Sequence, residues 1–174
     1  LFGRAHEEIG FLIERKIPCS VVPGVTAALA ASAELRISLT RRGLSRSVAF
    51  LTPRSGAGER PNEWVKAALA ADTVALYMGA GEAPMISRVL IAAGKPAATP
   101  VAVVENASLP DAVWHFGELR QLAEVAARGS GGPSLILLGE VYRESAIIAA
   151  WPQAQSSSSR TARATRTGRA RSGS

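Results

Sequence analysis

Hydrophobic positions along the chain alternate between short β-like runs and longer stretches with apolar residues every third or fourth position. That switching of period predicts an α/β domain. His6 to Lys16 carries Ile9, Leu12 and Ile13 on one face and is predicted helical, with Ile17-Pro18 ending it. A short strand is expected at Cys19 to Val22, followed by a Pro23-Gly24 turn and an Ala-rich helix from Ala27 to Glu34 that Thr26 can cap. Further strands are expected at Ser47 to Thr52, Thr73 to Met78, Val101 to Val104, Val113 to Phe116 and Ser134 to Leu138. Between them, helices are expected at about Asn62 to Ala70, Glu82 to Ala93 and Glu118 to Ala127, with Val141 to Ala150 as the closing helix. A glycine-rich loop through Ser55, Gly56 and Gly58 precedes the Asn62 helix, and no segment repeats another.

Three of the expected strands run into Gly or small-residue turns: Val22 into Pro23-Gly24-Val25-Thr26, Met78 into Gly79, and Val104 into Glu105-Asn106-Ala107. Ligands of α/β sheets sit beyond the carboxyl ends of the strands, where small side chains let backbone groups reach them. These turns are the candidate binding site. The pattern alone names no reaction.

Composition changes the picture in two ways. At 174 residues and 47% hydrophobic, the chain can bury one core of ordinary size, yet it has no apolar run approaching the roughly 20 residues of a membrane-spanning helix. The formal net charge of +6 belongs to the carboxyl end: residues 160–174 hold five Arg and no acid, leaving 15 basic against 14 acidic residues elsewhere. We therefore read 1–150 as the folded domain and 151–174 as a disordered Ser/Arg-rich tail with no apolar face to bury. A phosphate-contacting arm is the other reading of that tail, which lacks interleaved aromatics; nucleic acid is expected to bind through it or not at all, and no membrane partner is expected. The single cysteine, Cys19, has no partner for an intramolecular disulfide and reads as a small buried hydrophobe. With no secretory pattern at the amino end, a cytoplasmic location is expected. Since the first residue is not Met and the helical pattern begins at once, the chain is expected to start inside a larger protein.

Among chemical signatures, a dinucleotide GxGxxG, a Walker loop, HExxH, a CxxC pair and GxSxG are all missing from the sequence. His6 and His115 lack ligand spacing with each other or with Cys19, so no metal site is expected. Glu7, Glu8 and Glu105 could serve as acid or base groups; surface charge explains the first two and a helix or turn hydrogen bond the third. Arg4, Arg41, Arg42, Arg46 and Arg54 form a basic group suited to a polyanionic ligand through bidentate guanidinium contacts, although scattered solvent-facing arginines explain the spacing equally well.

Taken in order, Leu1-Phe2-Gly3-Arg4 with Glu7-Glu8, Val21-Val22-Pro23-Gly24-Val25-Thr26-Ala27, Leu39-Thr40-Arg41-Arg42 with Ser47-Val48, Tyr77-Met78-Gly79, Pro100 to Ala107, and Pro133-Ser134-Leu135-Ile136 with Gly139 resemble the tetrapyrrole methylases. Within that family they look most like the uroporphyrinogen-III C-methyltransferases, which also form the C-terminal module of sirohaem synthases. The resemblance covers about Leu1 to Tyr142. It implies a mixed sheet flanked by helices, the C-terminal domain of a two-domain α/β fold. It also implies transfer of a methyl group from S-adenosyl-L-methionine to uroporphyrinogen III, giving precorrin-2 for sirohaem or cobalamin, in an enzyme that is a homodimer at full length.

By the same resemblance, Leu1, Thr26, Ala27, Met78 and Ala107 would contact the cofactor, and Arg4, Arg41 and Arg42 would face the substrate carboxylates. The catalytic acid and base groups would lie before Leu1, so no catalytic residue is assigned within the chain, and the chain by itself is expected to be inactive. Three departures from the family pattern stand out: Arg41 replaces the histidine of LTHR, Thr52-Pro53-Arg54 stands where TGH is common, and Ala107 replaces a glycine. Another precorrin methylase, a ribosomal RNA methylase of the same superfamily, or a non-catalytic remnant acting by association remain alternatives.

Overall fold

The computed structural model describes residues 1–54 and 63–144. Helices α1 (Ala5–Glu14) and α2 (Ala27–Leu35) come first, then β1 (Val48–Leu51), α3 (Trp64–Ala70), β2 (Thr73–Tyr77) and α4 (Ala83–Ala92). After these come β3 (Pro100–Glu105), β4 (Val113–Glu118), α5 (Leu122–Ala126) and β5 (Ser134–Gly139). The strands form a five-stranded mixed sheet in the order β1-β2-β5-β3-β4. Only β1 and β2 are neighbours in parallel; β5 runs antiparallel to both β2 and β3, and β4 antiparallel to β3.

Both faces of the sheet are covered, which is why its central strands are apolar throughout rather than alternating. The period of two divides the side chains. Val74, Leu76, Val101, Val103, Ile136 and Leu138 pack on one side with α3, α4 and α5. On the other side Ala75, Tyr77, Ala102, Val104, Leu135 and Leu137 meet α2. The α2 helix begins there with small residues, Ala28 and Ala31, both fully buried, so its first turns approach the sheet closely, and Leu35 packs at its end. Pro100 opens β3, the strand position where a missing N–H is tolerated.

Several sequence expectations fail for identifiable reasons. Cys19 to Val22 pairs with no described strand; without a neighbouring ladder no strand forms, and Val21 and Val22 stand 72% and 84% exposed. Cys19 is exposed rather than buried. Helix α1 buries none of its residues, so its apolar face has no described partner. The expected Glu118 to Ala127 helix is shortened because β4 continues through Gly117 and Glu118 to pair with Val101 and Pro100. A 3₁₀ turn, Leu119–Gln121, then intervenes, held by a capping box between Glu118 and Gln121. The start of the closing helix is a 3₁₀ turn at Glu140–Tyr142; the rest of that helix, the Ser55-Gly56-Gly58 loop, and the Ser/Arg-rich tail lie outside the described residues. Among the described residues no helix is long and apolar enough to cross a membrane.

Candidate functional site

Because β2 and β3 are each antiparallel to β5, they point the same way and their carboxyl ends share one edge with the start of β5. Register fixes this closely: Tyr77 and Val104 both lie opposite Leu135, and Glu105 opposite Ser134. Beyond the two ends the chain turns off through left-handed backbone at Met78 (φ 56°) and Asn106 (φ 54°). Asn tolerates that conformation, but for Met it costs of order 1–2 kcal/mol, a strain that the surrounding packing must sustain.

A cavity of about 360 Å³ opens at this edge, inside the roughly 300–1,000 Å³ range of small-molecule sites. Ala27, Met78 and Ala107, expected at the site and distant in sequence, all line it. Asn106, in the turn the sequence marks, lines it as well; Tyr77 and Pro133, also in the wall, are not assigned to it by the sequence. Tyr77 was hidden inside a strand reading. The Pro133 wall follows from register, which no single-strand pattern reveals.

Tyr77 does more than line the cavity. Thr26 occupies the N-cap of α2 with extended backbone, yet its side chain caps nothing, contrary to expectation. The Tyr77 hydroxyl does that work instead: it accepts a hydrogen bond from the Ala28 N–H at 3.1 Å and lies 2.7 Å from Thr26 Oγ1. The Tyr77 ring packs against Phe2, ring centres 5.0 Å apart, and edge-on to Phe50. Thr26 thus holds the wall through Tyr77, while Leu1 is 70% exposed and outside it.

At the other wall, Glu105 is buried and accepts hydrogen bonds from Ser130 N (2.8 Å), Ser130 Oγ (2.6 Å) and Gly132 N. The Ser130 hydroxyl, more than any other contact, holds its carboxyl below the usual carboxylate range. Asn106 N donates to Pro133 O at 3.0 Å, and Ser108 N to Glu34 Oε1 of α2 at 3.0 Å. The sequence expectation of a turn hydrogen bond for Glu105 is what the geometry contains.

The three arginines expected to face substrate do not line the cavity. Arg4 is exposed and paired with Glu7, Nε to Oε1 at 2.7 Å. Arg41 reaches Glu144 at 3.2 Å, and Arg42 lies exposed on the adjoining turn.

Residues 1–123 match the family model of the tetrapyrrole (corrin/porphyrin) methylases. The chain belongs to this family. Among curated methylases of this kind it is 40% identical over 141 residues to a siroheme synthase of Actinobacillus succinogenes, covering 81% of the chain and 29% of that protein. It is 39% identical over 163 residues to the chloroplastic S-adenosyl-L-methionine-dependent uroporphyrinogen III methyltransferase of Arabidopsis thaliana, covering 91% of the chain and 43% of that protein. The fold superposes on a uroporphyrin-III C-methyltransferase from Thermus thermophilus complexed with S-adenosylhomocysteine, with a TM-score of 0.71 and 33% identity over 82% of the chain and 62% of that protein. The chain therefore spans less than half the length of these curated methylases. The mixed sheet flanked by helices expected from the resemblance is the methylase fold observed.

Proposed function

We propose that the cavity at the β2–β3 edge is this chain's share of an S-adenosyl-L-methionine site, and that the protein takes part in C-methylation of uroporphyrinogen III, the route toward sirohaem or cobalamin. The observation that carries the proposal is the convergence of Ala27, Met78 and Ala107 on one cavity in a member of this family. Small side chains at two of these positions leave backbone groups near the cavity, and the Met78 thioether supplies a soft, adaptable surface. That combination suits a ligand with a nucleoside at one end and a sulfur centre at the other, so the residues present fit the cofactor.

When bound, S-adenosylmethionine supplies an electrophilic methyl group on a sulfonium. The chain's contribution is to hold and orient: the Tyr77 hydroxyl fixes the α2 start carrying Ala27, the left-handed turn at Met78 sets that side chain at the strand end, and Asn106 with Ala107 forms the opposite wall. Substrate carboxylates are assigned to Arg4, Arg41 and Arg42. The acids now paired with Arg4 and Arg41 are solvent-exposed, and such pairs contribute little stability, so a substrate carboxylate can replace them with small loss.

The exposed apolar face of α1 and the exposed, unpaired run at 18–25 support a second part of this reading: further protein covers them and closes the open side of the cavity. A homodimer of the complete enzyme and a cytoplasmic location belong to the same proposal. The test is a titration of the 174-residue chain with S-adenosylhomocysteine, followed by amide NMR shifts. Changes concentrated at Ala27, Met78 and Ala107 are expected; a saturating titration that leaves these amides unmoved overturns the assignment.

A further inference from the structure

We propose that Glu105 is a positioning residue for the cavity: its buried carboxylate clips the 129–133 loop to the end of β3 and so fixes how two adjoining wall segments sit against each other. The inference rests on reading the cavity as the cofactor site, but its geometry stands separately.

Glu105 is 2% exposed, and among the described residues no lysine or arginine is bonded to it. Its charge is met by a fan of donors from one short loop: the Ser130 amide, the Ser130 hydroxyl and the Gly132 amide. Such charge-assisted bonds to an unpaired carboxylate are stronger than neutral ones. Losing the charge exchanges one of the two acceptor oxygens for a donor group, so one of these part-buried donors then faces another donor, which is costlier than losing a bond outright. The loop is shaped to the carboxylate. A Cβ at Gly132 would lie 2.8 Å from Glu105 Oε1 and 2.5 Å from Asn106 Oδ1, and one at Gly129 would collide with Glu105 Oε2.

The clip has a second tooth, the bond from Asn106 N to Pro133 O. The residues on either side of these bonds are cavity wall: Asn106 and Ala107 follow Glu105, while Pro133 and Ser134 follow Gly132. Asn106 is also held in left-handed backbone, so the turn carrying Ala107 depends on outside contacts to keep its shape. Glu105 touches no part of the cavity itself. Its effect on a ligand passes entirely through the two segments it joins.

The experiment is amide hydrogen exchange on the 174-residue chain and its Glu105→Gln and Ser130→Ala variants, with no ligand, followed by S-adenosylhomocysteine titration of each. In Glu105→Gln, exchange at 106–109 and 130–132 is expected to rise about tenfold or more, while β2 and β5 keep their wild-type rates. Ser130→Ala, which removes one donor and leaves both amides, should show the same pattern at smaller amplitude. It also decides the matter if Glu105→Gln does not fold. Loops that exchange at wild-type rates in both variants, or acceleration spread evenly through the sheet, overturn the clip. Where the wild type binds S-adenosylhomocysteine, the glutamine variant should bind about tenfold more weakly with its core intact, and equal affinity overturns the positioning role. A wild type that ignores the ligand overturns the cofactor reading alone, and the exchange arm still decides the role of Glu105.

Discussion

Tyr77→Phe isolates one oxygen atom at the junction of fold and site. The substitution keeps the ring against Phe2 and Phe50, so it opens no appreciable cavity. It removes the acceptor for the Ala28 amide and the partner of Thr26 Oγ1. Loss of an N-terminal helix cap costs about 1 kcal/mol, and the buried Ala28 amide is left without its acceptor. A total of about 1–2 kcal/mol follows once the Thr26 hydroxyl finds solvent. For a domain of this size that corresponds to a fall in Tm of roughly 2–8 °C. Differential scanning calorimetry of the 174-residue chain reads it directly. Thr26→Val removes one of the same two bonds, so the double variant should be no less stable than Tyr77→Phe alone, the non-additivity expected of partners in one network. A Tyr77→Phe protein melting within about 1 °C of wild type, or a double variant whose losses simply add, would refute the capping role and with it the idea that the strand end fixes the Ala27 wall.

Met78→Ala should weaken S-adenosylhomocysteine binding while leaving Tm nearly unchanged, because the side chain is 46% exposed; calorimetry giving equal affinity would remove Met78 from the site. In a version extended at its amino end with the corresponding segment of the Thermus thermophilus enzyme, Arg42→Ala should raise KM for uroporphyrinogen III more than KM for the cofactor, measured by labelled methyl transfer. Without that extension the 174-residue chain should show negligible turnover in the same assay, and turnover matching a full-length methylase would show that its own residues suffice. Glu105 has a lowered folded-state pKa, first through the Ser130 hydroxyl and in smaller part through His115, so its stabilisation is fully present above the ordinary glutamate pKa. It fades as pH falls through the folded value. Protection at Ser130 and Gly132, taken relative to the intrinsic exchange rate at each pH, should therefore fall in the wild type as pH drops below the ordinary glutamate range and hold steady in Glu105→Gln.

The strands of the core were legible because they are buried on both faces: runs such as Val101 to Val104 and Ser134 to Leu138 admit no other reading at that length. Helix α4 was equally plain, with an amphipathic pattern that stops at Gly94 and Pro96. Tertiary context decided the rest. Cys19 to Val22 has strand composition, but strand formation is a property of pairs, and no described strand lies beside it. Glu118 looks like a helix start, yet the ladder to Pro100 holds it extended. Of the site, the small-residue turns were visible, and the resemblance picked out Ala27, Met78 and Ala107 within them. The capping oxygen of Tyr77 belongs to a residue 51 positions from Thr26, and no local pattern carries a contact of that range.

The position of the cavity follows from the strand order. Were β2 and β3 adjacent, their carboxyl ends would abut and leave little room between the turns that follow. Inserting the antiparallel β5 between them moves those ends apart by two strand spacings, roughly 10 Å, and places the beginning of β5 in the gap. One edge thus gathers two departing turns and one arriving loop. Each must satisfy its own backbone groups while an apolar floor lies between them. Asn106 bonds to Pro133 on the β3–β5 side of the gap, and Glu105 absorbs the donors of Ser130 and Gly132. The strain at Met78 is then explicable as the cost of turning a chain away from a space that would otherwise be filled. A tightly packed edge would be more stable and would hold no ligand; keeping this one open requires buried polar anchors, and Tyr77 and Glu105 are those anchors.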